Sequence, residues 1–223
     1  DDRGLPTLIT DRLGNETHIE YNSAGRAAKV TDPEGGEWTT EYDLLGRSIR
    51  ETDPRNGVFT FVYDDGGHET SITDPLGNAV ALAYDPAGRP TRFTDPEGGI
   101  SQRTYGPMGE LLSRTDPNGK LTTYEYDKTG LIKKFTDPLG KIYTFEYDPS
   151  GRVETMTDPE NHVQGFEYTD EGYLKSRTDG LGHKTTLSVD GLGRLLSVTD
   201  AEGRATSFEH RFNGELTKIT RPD

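Results

Sequence analysis

Residues 136–152 read Thr136-Asp137-Pro138-Leu139-Gly140-Lys141-Ile142-Tyr143-Thr144-Phe145-Glu146-Tyr147-Asp148-Pro149-Ser150-Gly151-Arg152. Two turn signals, Asp-Pro-Leu-Gly and Asp-Pro-Ser-Gly, bracket the segment Ile-Tyr-Thr-Phe-Glu-Tyr, which is rich in β-formers. Proline fixes φ near the value required at the first inner position of a type I turn. Glycine then takes the left-handed conformation from which the chain re-enters a strand. The stretch reads as turn, strand, turn, and the rest of the chain repeats it.

The period is 21 residues, without insertion or deletion. Threonine opens the first turn at 10, 31, 52, 73, 94, 115, 136, 157, 178, 199 and 220. The second turn ends in Gly25, Gly46, Gly67, Gly88, Gly109, Gly130, Gly151, Gly172, Gly193 and Gly214. Tyrosine precedes that turn at 21, 42, 63, 84, 105, 126, 147 and 168, with Val189 and His210 in the last two copies. A fixed period of this size marks a repeat architecture. The segments between turns are too short for a crossover helix, so consecutive strands pair antiparallel as a meander of β-hairpins. About ten copies give about 20 strands, about 20–24 Å long, in a ribbon of about 95 Å. Strand twist accumulates over such a ribbon and predicts a curved or spiral single-layer sheet.

Composition supports an all-β single layer over an ordinary globule. Apolar residues make up 30% of the chain, beside 27 glycines and 13 prolines. Such a chain builds little conventional core, and the strict period and aromatic columns favour order over disorder. The net charge is -14, which disfavours a nucleic-acid partner, because that binding depends on cationic contacts with phosphate. There are no cysteines, so disulfides cannot supply stability. No apolar run is long enough for a membrane-spanning helix. The chain begins and ends inside the repeat pattern without a signal peptide, and is expected to be a piece of a longer polypeptide, with 1–223 as one repeat region.

Two residues before the tyrosine stands a mostly large apolar column: Ile19, Phe61, Leu82, Tyr124, Phe145, Phe166, Leu187 and Phe208, with Thr40 and Arg103 as exceptions. Residues between alternate as Thr and Glu, so one face is apolar and aromatic and the other polar. Rings at equivalent positions lie two strands apart, and contact needs residues of the intervening strand, such as the aliphatic part of an arginine, to lean in. The odd period adds a constraint. Unbroken alternation over 21 residues would swap the faces at every repeat. Apolar residues also recur two and five places after the second-turn glycine, as in Val153 and Met156. One β-bulge per repeat, in that strand or beside its glycine, resolves both conflicts.

The motif Tyr-Asp-x-x-Gly-Arg, as in Tyr42-Asp43-Leu44-Leu45-Gly46-Arg47, Tyr84-Asp85-Pro86-Ala87-Gly88-Arg89 and Tyr147-Asp148-Pro149-Ser150-Gly151-Arg152, resembles the RHS or YD repeat. The resemblance covers nearly the whole chain. It implies a spiral β-sheet that closes into a hollow shell, as in bacterial polymorphic toxins, insecticidal toxin complexes and teneurins. In the bacterial members the shell encloses a toxic polypeptide. The partners implied are therefore further RHS repeats of the same chain and an enclosed toxin polypeptide, with secretion machinery a further candidate, in an exported, secreted or cell-surface protein. Many such proteins carry a C-terminal self-cleaving aspartyl site, but the signature preceding it is absent here, so no cleavage residue carries over.

The candidate chemical sites are weak. Repeated aspartates lack the spacing of calcium-binding β-rolls and read as caps of their own turns. Asp precedes Arg by four at 43/47, 85/89, 148/152 and 190/194, which predicts exposed cross-turn ion pairs of little value. His162 and His183 share a column but lie about two strands apart, too far to share a zinc ion easily; His18, His68 and His210 are scattered. Ser23 and Ser150 lack a nucleophile context. Asn15-Glu16-Thr17 is a lone glycosylation sequon. Trp38 and the aromatic columns can be read as a sugar-stacking surface or, more simply, as the packed face of the sheet. No catalytic, metal or cofactor residue is nominated.

Three functions remain open on sequence alone. The first is a non-catalytic wall segment of a shell that holds or delivers a polypeptide cargo. The second is a cell-surface adhesion or carbohydrate-binding module built on the same repeats. The third is an enzyme whose active parts lie elsewhere.

Overall fold

The computed structural model describes residues 1–222, and among them there is no helix. Twenty-one strands, labelled β1 to β21 in chain order, run from β1 (Leu8–Thr10) to β21 (Leu216–Thr220). Apart from β1, five-residue strands such as β13 (Ile132–Thr136) and β15 (Val153–Thr157) alternate with six-residue strands such as β14 (Ile142–Tyr147) and β16 (Val163–Tyr168). At about 3.3 Å per residue these span roughly 17–20 Å, shorter than the sequence suggested, because each turn takes five residues out of the ladder.

The chain divides into two compact units. The first comprises Asp1–Thr104 and Arg114–Gly119. Within it β1 to β9 (Pro90–Thr94) form an antiparallel meander, each strand pairing with the next. The second comprises Tyr105–Ser113 and the chain from Lys120 onward. There, β12 (Leu121–Tyr126) to β21 form a second run of the same kind.

The two hairpins of a repeat share one loop geometry and differ at the base. In the first turn Gly140 N donates to Asp137 O at 3.0 Å and Asp137 N to Lys141 O at 2.9 Å. In the second, Gly151 N donates to Asp148 O and Asp148 N to Arg152 O, both at 2.9 Å. All ten second-turn glycines have positive φ, as expected. In the first turn Asn56 and Asn161 take the glycine's place at φ 64° and 65°; asparagine tolerates that region better than other side chains.

The parity break falls in the strand that follows the second turn. Tyr147 pairs with Val153 while Glu146 pairs with Thr155, so Glu154 is an extra, bulged residue. The same shift recurs between Glu20 and Tyr21, Glu41 and Tyr42, Val62 and Tyr63, Ala83 and Tyr84, and Glu125 and Tyr126. It recurs again between Glu167 and Tyr168, Ser188 and Val189, and Glu209 and His210. The bulge absorbs the odd residue of the period. Val153 thereby joins Tyr147, and Met156 joins Phe145, on one face.

That face carries cross-strand rows such as Ile19–Val30–Trp38 and Phe61–Ile72–Val80 in the first unit. In the second unit Tyr124, Phe135 and Tyr143 form a row with ring centroids 5.6 and 5.8 Å apart. Phe135, on the intervening strand, makes the contact that equivalent rings cannot make directly. The opposite face carries ion pairs such as Lys134–Glu125 at 2.8 Å and Lys218–Glu209 at 3.0 Å. Among the described residues no apolar side chain is buried; the most enclosed side chains are Ser176 and Thr122. In each unit the sheet is one layer, and its apolar face is only half-covered by its own neighbours.

Candidate functional site

The residues singled out as a motif converge at the second turn of each repeat. Asp148 Oδ1 accepts the backbone N–H groups of Ser150 at 2.9 Å and Arg152 at 3.0 Å. Its Oδ2 accepts Arg152 Nε at 2.6 Å. Asp43–Arg47, Asp85–Arg89 and Asp190–Arg194 repeat the arrangement. Aspartate thus caps its turn, as its column predicts, and the arginine closes the other side of the carboxylate.

The sequence placed these ion pairs on the open surface, and the structure corrects this. The Asp148 side chain is only 16% exposed and Arg152 31%. The arginine is held from outside its own repeat. Arg152 Nη1 donates to Thr169 O at 3.1 Å, and Arg194 Nη1 to Arg211 O at 2.9 Å, each in the next second turn. The guanidinium also lies over the tyrosine ring of the next repeat. Arg152 is 4.7 Å from the Tyr168 centroid, Arg47 4.5 Å from Tyr63 and Arg26 5.9 Å from Tyr42. The planar guanidinium rather than the aliphatic stem makes this contact. His68 takes the arginine position in its repeat and stacks on Tyr84 at 4.8 Å.

The tyrosine hydroxyl makes the link that the sequence reading missed. Tyr147 Oη donates to Ile132 O at 2.7 Å, Tyr168 Oη to Val153 O at 2.9 Å and Tyr42 Oη to Ala27 O at 2.8 Å. Tyr21, Tyr63, Tyr84 and Tyr126 do the same, always to the residue 15 places earlier. From Tyr42 onward, that acceptor opens the bulged strand of the preceding repeat. His210 preserves the contact through Nε2 to Leu195 O at 2.8 Å, while its Nδ1 is buried without a partner. A usable signal was present: the column is tyrosine in eight copies and never phenylalanine, which argues that the hydroxyl is used.

The hydrogen bonds show in the aspartate acidities. Asp43, Asp85, Asp148 and Asp190 are held below the usual carboxylate range, first by the backbone N–H of the arginine four residues on. Asp64 and Asp179 are lowered in the same way by His68 and His183. Asp11 and Asp74 are lowered chiefly by the side chains of Asn15 and Asn78. For Asp158 and Asp200 desolvation is the largest single influence and pushes upward, but the bonds from His162 and Arg204 together outweigh it.

The remaining candidates resolve individually. His162 and His183 each contact their own turn aspartate, Asp158 at 2.9 Å and Asp179 at 3.0 Å. Among the described residues no three His, Cys, Asp or Glu side chains form a group that could hold a metal ion. No helix of the described residues is long and apolar enough to cross a membrane.

The family model described as RHS Repeat matches residues 1–37, 21–58, 63–100, 108–134, 126–163 and 189–223. No curated protein matches the chain. Among solved structures the chain is similar to TcdB2-TccC3-TEV, at 17% identity and TM-score 0.62, over 99% of this chain and 15% of that one. It is also similar to TcdB2-TccC3-Cdc42, at 17% identity, TM-score 0.63 and the same coverage. A third match is TcdB2-TccC3 without its hypervariable C-terminal region, at 17% identity, TM-score 0.62 and again 99% and 15%. The chain therefore spans about 15% of the length of these solved chains, and at this identity the likeness establishes a shared fold. With a 21-residue hairpin, one bulge per repeat and a tyrosine–aspartate–arginine link between repeats, and with the family model matched over most of its length, the chain belongs to the RHS repeat family.

Proposed function

We propose that this segment is a wall of an RHS-type shell that encloses a polypeptide cargo and helps deliver it outside the cell, without catalysis of its own. One observation carries the reading: the tyrosine, aspartate and arginine of the repeated motif are engaged in holding the turns and joining one repeat to the next. The tyrosine hydroxyl ties down the preceding bulge, the aspartate caps the turn, and the arginine reaches the following turn. A site shaped for a reactant would leave some of these groups available. The half-covered apolar face supports the same reading, since an apolar sheet face of this extent is stabilised by an enclosed space or a covering polypeptide. Further repeats of the same chain and the enclosed polypeptide are the partners of this reading.

Limited proteolysis of the longer polypeptide that the shell reading requires is the test. Cargo should resist protease in the intact protein and become sensitive when residues 73–156, four whole repeats, are deleted. Equal sensitivity in both forms defeats enclosure and promotes the adhesion module.

A further inference from the structure

Across the sheet from the apolar column two residues before the tyrosine runs the column of Phe135 and Met156, and it holds one carboxylate, Glu51. In the equivalent position stand Ile9, Val30, Ile72, Phe93, Arg114, Phe135, Met156, Arg177, Val198 and Ile219. Arg177 is answered by Gln164, whose Oε1 accepts from Nη2 at 2.6 Å. Among the described residues no cation pairs with Glu51. Its one hydrogen-bond partner among the described residues is Ser48, whose Oγ donates to Oε1 at 3.0 Å. The Glu–Lys and Glu–Arg pairs of this unit lie on the opposite face, as in Lys29–Glu37 at 2.6 Å and Arg50–Glu41 at 3.6 Å.

The surroundings of Glu51 are those of a small receptor. It pairs across the sheet with Thr40 on one side and Phe59 on the other. Trp38, the only tryptophan of the chain, lies two residues before Thr40 on the same face and is 44% exposed. Trp38, Thr40, Glu51, Asp53 and Phe59 line one cavity of about 190 Å³. Asp53 gives Oδ1 to its own turn, accepting the N–H groups of Arg55 at 2.8 Å and Gly57 at 2.7 Å, and its other oxygen adds negative charge to the same cavity. The Glu51 carboxylate, with spare acceptor capacity, therefore sits on the strand between those that carry the indole and the phenyl ring.

We infer that this cavity binds an alkylammonium group, and specifically the side chain of a lysine in a polypeptide laid across the apolar face. The four-carbon stem lies against Trp38 and Phe59, and the ammonium meets the Glu51 carboxylate and the indole face. Each part answers a distinct feature: rings for the stem, ring quadrupole and carboxylate for the charge. A carboxylate ligand is repelled, and a purely apolar one leaves Glu51 to be desolvated without a partner. The inference stands apart from the shell reading, since a lysine peptide binds here whether or not the protein encloses a cargo.

Trp38 reports binding directly. The 223-residue chain is titrated with N-acetyl-lysine-N-methylamide and with its uncharged counterpart N-acetyl-norleucine-N-methylamide, following tryptophan fluorescence. The lysine compound should give a saturable change, with half-saturation at least about fivefold lower than for the norleucine compound, as a cation–π contact and one exposed ion pair allow. Glu51→Gln should remove that preference while leaving the circular dichroism unchanged; the side chain is exposed, so the fold tolerates it. As a measurement on the unaltered protein, added salt should weaken the lysine compound and not the norleucine one. Equal responses to the two compounds, a preference that survives Glu51→Gln, or no saturable response overturns the inference.

Discussion

Tyr147 reaches back 15 residues to donate its hydroxyl proton to the carbonyl of Ile132 at 2.7 Å. Ile132 opens the bulged strand of the preceding repeat and sits opposite Tyr126. On its other side Ile132 lies beyond the ladder with the next strand, which begins at Lys134 and Thr144, so its carbonyl there needs a partner. The tyrosine of the next repeat supplies it, so the device that corrects the parity of one repeat is fastened by the following one. Tyr147→Phe keeps the ring and removes the hydroxyl. It should cost about 0.5–1.5 kcal/mol, the usual net value of one such bond. Urea denaturation measures this, and a variant as stable as the parent would show that the hydroxyl contributes nothing.

The last two repeats lack the tyrosine, which makes the converse test available. Val189→Tyr should bring a hydroxyl towards Leu174 O, and His210→Tyr should replace a ring whose Nδ1 is buried without a partner. Each should stabilise by about 0.5–2 kcal/mol. Loss of stability in both variants would contradict the linking role.

Gly151 has φ 79°, and a Cβ there would meet Leu131 at an ordinary 3.5 Å. The cost of a side chain is therefore conformational rather than steric crowding from outside. Gly151→Val should destabilise by more than about 1 kcal/mol. In the first turn, Gly140→Asn should cost clearly less than Gly140→Val, because Asn56 and Asn161 already adopt that conformation in other repeats. Chemical denaturation of the variants decides, and equal losses for Asn and Val would refute the assignment.

Acid should loosen the protein through its turns. Eleven aspartates, Asp11, Asp43, Asp64, Asp74, Asp85, Asp127, Asp148, Asp158, Asp179, Asp190 and Asp200, are more acidic in the fold than their ordinary value of 3.8. A carboxylate whose folded value is depressed adds stability that is fully present above its unfolded value and is lost as pH falls through the folded one. The thermal midpoint should hold between about pH 7 and 5 and fall below about pH 4. A midpoint unchanged down to about pH 2.5 would mean the caps carry no stability.

Much of this was legible in the residues, for identifiable reasons. Asp-Pro-x-Gly is local chemistry, so the turns at 137–140 and 148–151 follow without knowing what lies around them. The bulge was legible because parity is arithmetic: Val153 and Met156 cannot share a face unless one residue drops out of register. The partial burial of Asp148–Arg152 was not legible, since a four-residue spacing describes one turn and says nothing of the Thr169 carbonyl and Tyr168 ring that approach from the next repeat.

The hairpin period, the two faces and the need for one break per repeat follow from the residues alone, because turns and alternation are set by neighbours along the chain. How each repeat grips the next emerges only in the folded chain. The tyrosine reaches back 15 residues and the arginine forward 16 or 17, distances along the chain that become contacts only once the bulge has fixed the register. The same register places Glu51 between Thr40 and Phe59, a neighbourhood that no local pattern contains.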